Sequence, residues 1–296
     1  MNEEHRQPAS KRKPFLRGCL VMILAAAVFF LLLLGVSRID SLSMSVGEKV
    51  AVVPITGLIA ESEQCISHLK RYGKDNSVKA VVLRINSGGG GVAPSQEIYE
   101  EVRKLNRKKP VLCSMGNVAA SGGYYIAAGA RKIYANQGTM TGSIGVKMPL
   151  VNLKDLAEKI GVKGMTIKSG EFKDIGSPLR EMTPQEQQIL QIVVDNVHMQ
   201  FVNAVAEGRK LSREEVMQIA DGRILTGEQA KALGLVDELG NLEDAVSDAA
   251  KQGGISGEPK VVTPPKSKGS LLSAIREEMR SVIDGNTGEG IPLQLN

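Results

Sequence analysis

Residues 110–125 read PVLCSMGNVAASGGYY, and residues 80–91 upstream read AVVLRINSGGGG. In the first stretch an apolar run over 110–113 leads into small residues around Ser121, and an alanine-rich run follows over 124–130. Glycines let backbone segments approach closely. A strand-to-helix elbow of this kind holds a hydroxyl at a helix N-terminus, where the first N–H groups face whatever the hydroxyl attacks. Ser121 is therefore a candidate nucleophile, although an N-cap serine in a tight turn needs the same surroundings. In the second stretch 80–86 reads as a strand and Ser87-Gly88-Gly89-Gly90-Gly91 as a tight glycine loop. A helix over 94–106 comes next, with Ile98, Val102 and Leu105 on one face. Strand, glycine loop, helix, strand is a βαβ rhythm, which predicts an α/β fold with a mostly parallel sheet.

Outward from these stretches, residues 49–55 predict a strand, 61–71 a helix and 132–135 a strand. Residues 139–146 (TMTGSIGV) read as a turn and strand, 154–160 as a short helix and 164–167 as a strand. Residues 168–178 (KSGEFKDIGSP) have no regular period and read as a loop carrying charge and glycine. Thr183, Pro184 and Glu186 make a helix start, with the N-cap, N1 and N3 positions of a capping box filled in order. That helix runs to about 207 with Leu190, Val193, Val194, Val197, Phe201 and Val205 inward. Ser212 and Glu215 form a second box, and Thr226 caps a helix that Gly234 ends. Residues 253–270 read as a Gly/Pro linker, 270–283 as a short helix and the remainder as a disordered tail.

At the other end, residues 18–36 (GCLVMILAAAVFFLLLLGV) carry no charge. At helical rise such a run covers about 28 Å, roughly one hydrocarbon core. It is longer than a signal-peptide core, and its exit (GVSRID, 35–40) is a poor cleavage site, so an uncleaved anchor is expected. Arg6, Lys11, Arg12, Lys13 and Arg17 precede it and only Arg38 follows closely. The positive-inside rule then puts the N-terminus in the cytoplasm and residues 37–296 outside. The expected organisation is a basic tail (1–17), an anchor in the lipid bilayer (18–36), a linker (37–48), a catalytic-type domain (49–252), and a linker, helix and tail (253–296).

The net charge of +5 is concentrated in that basic tail, and no basic patch interleaved with aromatics exists in a chain that is 3% aromatic and lacks Trp. Nucleic-acid binding is excluded on this ground. Cys19, Cys65 and Cys113 have no metal-like spacing, and no cofactor or metal is expected. They read as small buried hydrophobes, with a Cys65–Cys113 bridge left open.

A serine nucleophile needs a base. Of His5, His68 and His198, the first is across the membrane and the others sit inside helices, so a Ser-His-Asp triad has little support. A lysine in a confined apolar site loses hydration, its neutral amine gains ground, and it can act as the base. Lys173 is placed for this, in an irregular loop beside Phe172 and Ile175. It reads equally well as a surface lysine paired with Asp174. Residues 87–91 can turn N–H groups toward one point as an oxyanion hole, or be a plain glycine turn. They match neither the P-loop nor the dinucleotide pattern.

In combination NSGGGG, MGNVAASGGYYIA, TGSIGV, KSGEFKDIGSPLREMTPQE and ADGRILTGEQAKALGLVDELG resemble the signal peptide peptidase A family, in its short single-repeat bacterial form. The resemblance covers about residues 49–240 and implies a ClpP/crotonase-type fold of repeated ββα and βαβ units and a Ser-Lys peptidase. It implies Ser121 as nucleophile, Lys173 as general base, Gly89 and Gly122 as oxyanion donors, and Ser143 as the residue that orients the lysine. It further implies a homo-oligomer on a bacterial inner membrane, with each serine served by a neighbour's lysine and the catalytic domain periplasmic or extracellular. The implied substrates are remnant signal peptides and other apolar or misfolded polypeptides. One departure stands out: the family's Ser-Pro-Gly-Gly has Gly88 at its proline position, which leaves the loop freer to move. Two rival readings are an acyl-CoA hydratase or isomerase on the same scaffold and a catalytically silent membrane scaffold.

Overall fold

The computed structural model describes residues 47–265, so the expected anchor, the basic tail and the 270–283 helix lie outside the described residues. Among the described residues no helix is long and apolar enough to cross a membrane.

The chain alternates strands β1 (Lys49–Ile59), β2 (Val78–Gly90) and β3 (Val111–Ala120) with helices α1 (Glu63–Lys74) and α2 (Val92–Asn106). Helix α3 (Gly122–Ala127), β4 (Lys132–Ala135), β5 (Met140–Gly142) and α4 (Lys154–Lys159) follow. Then come α5 (Pro184–Arg209), α6 (Arg213–Met217), β6 (Ile224–Thr226), α7 (Gly227–Ala232), β7 (Glu238–Leu239), α8 (Leu242–Gln252) and β8 (Lys260–Val262). The sheet order is β6-β5-β3-β2-β1-β8, with β4 paired to β3 and β7. All pairings are parallel except β5–β6, as the βαβ rhythm requires.

Central strands buried on both faces explain the near-continuous apolar runs. Val50, Val52, Ala80, Val82 and Leu112 face α8, which presents Ala245, Val246, Ala249 and Ala250. Their alternates Ala51, Val53, Val81, Leu83, Val111 and Cys113 face the larger core with Ile98, Val102, Ile126 and Val205. Fully burying each such branched side chain stabilises the fold by about 1.5–3 kcal/mol before chain entropy is counted.

Several expectations are corrected. The glycine stretch continues β2 to Gly90, pairing Leu58 with Gly89 and Ile59 with Gly90, and is not a free loop. Strand β3 runs to Ala120 instead of stopping at Cys113, because the edge away from β2 has two successive partners: residues 112–114 pair with β4 and 118–120 with β5. Residues 164–167 form no strand, and Met165 and Ile167 are 88% and 95% exposed with nothing to pair against. The expected linker contains β8, which pairs with β1 at the sheet edge. Cys65 and Cys113 are free thiols.

Candidate active site

Ser121 stands between the end of β3 and the start of α3, with φ 51° and ψ −122°. These are the angles of the first central residue of a type II′ turn, a place that glycine normally takes. A non-glycine residue held there carries strain of about 1–3 kcal/mol, a feature that clusters at functional sites. Neighbours on every side fix it. Its N–H donates to Gly142 O (2.9 Å), and its carbonyl accepts from Tyr125 N–H (2.8 Å). The Thr141 hydroxyl donates to Ala119 O (2.6 Å), and buried Tyr124 donates to Leu235 O (2.8 Å).

The small residues around Ser121 are demanded by close approach. A Cβ on Gly89, which has φ 108°, would lie 2.8 Å from both Gly122 N and Ser121 Cβ. A Cβ on Gly122 would run into Ser95 Oγ, and one on Gly90 into the Ile59 carbonyl. Ser121 does not act as a side-chain cap of α3, which leaves its hydroxyl for other work.

A cavity of about 910 Å³ opens over Ser121. Gly89, Gly122 and Ser143 line it, so the structure gathers four of the five residues singled out in the sequence. Its apolar side is Leu58, Val92, Tyr125, Val146, Val197 and Phe201, and the Tyr125 ring packs on Phe201 with centroids 4.8 Å apart. Ser143 has φ 50°, and its N–H donates to Arg223 O (2.8 Å).

Lys173 is not among the lining residues. It is exposed in the turn-rich loop over 168–178. The pairing with Asp174 that would make it an ordinary surface lysine does not form. Asp174 is taken by Arg180 (2.9 Å to each carboxylate oxygen) and Lys168 (2.6 Å), and these two hold its carboxyl far below the usual range. Arg180 also grips Glu186, which that guanidinium and the Thr183 N–H bring down to about 2. The loop is thus pinned to the start of α5 while the Lys173 ammonium has no partner among the described residues.

Sequence reasoning missed two charged groups on the cavity, Lys147 and Asp221. Asp221 is neutralised by Arg223 at 2.8 and 2.6 Å, which lowers its pKa to about 2. Lys147 directly follows TGSIGV and Asp221 lies at the start of ADGRILTGEQ, whose next residues β5–β6 pairing brings to the site. Among the described residues no cluster could hold a metal ion.

A profile of peptidase family S49 matches residues 103–256, and a Clp protease profile matches residues 51–146, in keeping with the α/β sheet described above. A Synechocystis sp. protein provisionally named a protease is 47% identical over 212 residues, or 71% of this chain and 76% of its own. An Enterococcus faecium protein provisionally named signal peptide peptidase SppA is 39% identical over 219 residues, 69% of this chain and 64% of its own. Protease 4 of Salmonella typhi is 37% identical over 215 residues, 69% of this chain and 35% of its own. The S49 profile covers more than half of the sequence and includes the serine elbow, and the chain accordingly belongs to peptidase family S49, as an SppA-type serine peptidase.

Proposed function

We propose that the chain is a membrane-anchored endopeptidase in which Ser121 attacks apolar peptide segments and Lys173 of a neighbouring copy serves as its base. The backbone of Ser121 is the observation that carries this reading, since a strained serine over an apolar cavity has no structural task that glycine would not do better. Neutral Lys173 takes the Ser121 proton as Oγ bonds to the peptide carbonyl carbon. The oxyanion is met by the Gly122 N–H, a first-turn donor without a helical acceptor. Lys173 gives its proton to the departing amine, and water then cleaves the acyl-enzyme with the same lysine as base. Ser143, which lines the cavity, would orient the incoming lysine amine.

Several features support a base from a second copy. Lys173 is exposed, unpaired among the described residues and away from the cavity lining, on a loop bordered by exposed apolar side chains. A homo-oligomer would dehydrate it, as a lysine base requires. The anchor (18–36) would put the sites near a bacterial inner membrane, facing the periplasm or exterior, where remnant signal peptides suit the apolar cavity. Lys147 lines the cavity of its own chain, so among the described residues it is the lysine that a within-chain mechanism would use.

The test is turnover of an apolar peptide by the full chain in detergent, beside Ser121→Ala, Lys173→Ala and Lys147→Ala. Loss in the first two, retention in the third, and recovery when Ser121→Ala and Lys173→Ala chains are co-assembled is the expected result. Loss in Lys147→Ala with activity kept in Lys173→Ala would move the base into the same chain. Activity in Ser121→Ala would overturn the assignment.

A further inference from the structure

Gly89 does not offer its N–H to Ser121 in this structure. That N–H donates to the Ser87 hydroxyl at 3.0 Å, and the same hydroxyl donates to the Gly57 carbonyl at 2.6 Å. Ser87 is 1% exposed and is not part of the cavity lining, whereas Gly57, Gly88 and Gly89 are. What Gly89 turns toward the nucleophile is its Cα, for a Cβ built there would sit 2.8 Å from Ser121 Cβ. The donor expected at the oxyanion hole is drawn away to a buried hydroxyl on its own strand.

The surroundings allow the peptide to turn. The β1–β2 register slips between Thr56 and Leu58, so Gly57 (φ 71°) and residues 87–88 fall in the break, and Gly89 resumes the ladder opposite Leu58 at a pairing that the rotation must also loosen. Gly88 has open space around it, with nothing within 4 Å of a Cβ position. Rotation of the Gly88–Gly89 peptide is governed by ψ of residue 88 and φ of residue 89, and with glycine at both neither carries a side-chain barrier. Ser87, by contrast, is fixed by its strand pairing with Ala119. A hydroxyl that both donates and accepts in a buried site is a well-defined anchor, because leaving either partner unmade is unfavourable.

We propose that Ser87 is a positioning residue for the oxyanion donor: its hydroxyl latches the Gly88–Gly89 peptide in a resting orientation, and turnover requires that peptide to rotate its Gly89 N–H into the Ser121 cavity. The inference rests on Ser121 being the nucleophile. It assigns the reaction a conformational step before acylation, and it gives Gly88 a use as the hinge of that step. The latch opposes formation of the tetrahedral species and leaves peptide binding in the apolar cavity unaltered, so it weighs on kcat and not on KM.

The experiment uses the full chain in detergent, with an apolar peptide substrate and the matching peptide aldehyde, which Ser121 converts to a tetrahedral hemiacetal. Ser87→Ala is expected to raise kcat and tighten aldehyde inhibition severalfold by the same factor at unchanged KM. Gly88→Ala, with room for its methyl group, is expected to lower kcat severalfold by stiffening the hinge. In the double variant the Gly88→Ala effect disappears, since there is no latch left to open. Ser87→Ala with lower or unchanged kcat and wild-type melting temperature overturns the proposal, as do additive effects of the two substitutions. If Ser87→Ala does not fold, Gly88→Ala decides alone: unchanged kcat and aldehyde affinity overturn it. Failure of the underlying reading is told apart by Ser121→Ala retaining turnover or wild type ignoring the aldehyde.

Discussion

The Ser121 N–H donates to the Gly142 carbonyl at 2.9 Å, which makes the serine's own peptide the last rung of the β3–β5 ladder. Gly142 keeps that carbonyl in place with φ 76°, and a Cβ there would lie 3.1 Å from Arg223 O and 3.3 Å from the Leu225 side chain. The strain in Ser121 is therefore held from outside its own turn. Gly142→Val should destabilise the domain by about 1–3 kcal/mol through enforced positive φ and crowding. It should also lower peptidase activity more than the change in melting temperature accounts for. Thermal unfolding and a peptide assay on the same preparation check this; full activity in the folded variant would sever the link between β5 and the elbow.

A second relationship sets the Lys173 loop. Arg180 bridges Asp174 to Glu186, tying the residue next to Lys173 to the capping box of α5. If Lys173 is the base proposed above, Arg180→Ala should free the loop and reduce kcat by roughly tenfold or more, the scale expected when a catalytic group loses its position. Both carboxyls have folded-state values below their ordinary ones, Glu186 at about 2. Their contribution is therefore full above about pH 4.3, the ordinary Glu value, and fades as pH falls toward 2. Limited proteolysis between pH 5 and 2 should show cleavage within 168–181 appearing first at the acid end. A loop equally resistant at both extremes would mean that the bridge does not restrain it.

Much of this was legible because it is local. The capping boxes at Thr183 and Ser212 and the cap at Thr226 form as their spacing requires, and Ser121, Gly89, Gly122 and Ser143 meet because glycine-rich backbone leaves one close packing. What sequence did not yield depends on distant partners. Strand β8 is three residues between glycine and proline and exists only through β1. Residues 164–167 have apolar side chains but no strand to meet. The α5 helix was readable, yet its first half does not bury the face its periodicity suggests: Val193 is 46% exposed, and Leu190, Val194 and Val197 are only partly buried. Asp221 reaches the cavity because β6, just after it, pairs with β5, a contact between segments far apart in the sequence.

The cysteines should be silent. Burial alone lifts the Cys65 thiol to about 12, and it dominates in lifting Cys113 to about 12 as well. The thiolate is the reactive form, so neither should alkylate at neutral pH in the folded chain. Iodoacetamide treatment followed by peptide mapping should find Cys65 and Cys113 unmodified until denaturant is added, and no peptide linking them. Rapid labelling of Cys113 under native conditions would show that the sheet opens far more readily than its packing suggests.

The exposed apolar residues bear on assembly. Met165 and Ile167 precede the Lys173 loop, and Ile192 and Val193 lie on the α5 helix that begins just after it. Exposed apolar side chains that cluster on a folded domain mark an interaction site. If a neighbouring copy covers it while delivering Lys173, Ile167→Asp should disturb assembly and catalysis together. The side chain is almost fully exposed, so its loss should leave the melting temperature of the separated protomer within a few degrees of wild type. The expected outcome is a smaller particle in sedimentation of the full chain in detergent, with turnover falling in proportion to the dissociated fraction. Co-assembly with Ser121→Ala chains should restore activity only in preparations where the larger particle reforms. An unchanged particle with normal turnover would show that this surface is not where copies meet, and the source of the base would then have to be sought within the chain, beginning with Lys147.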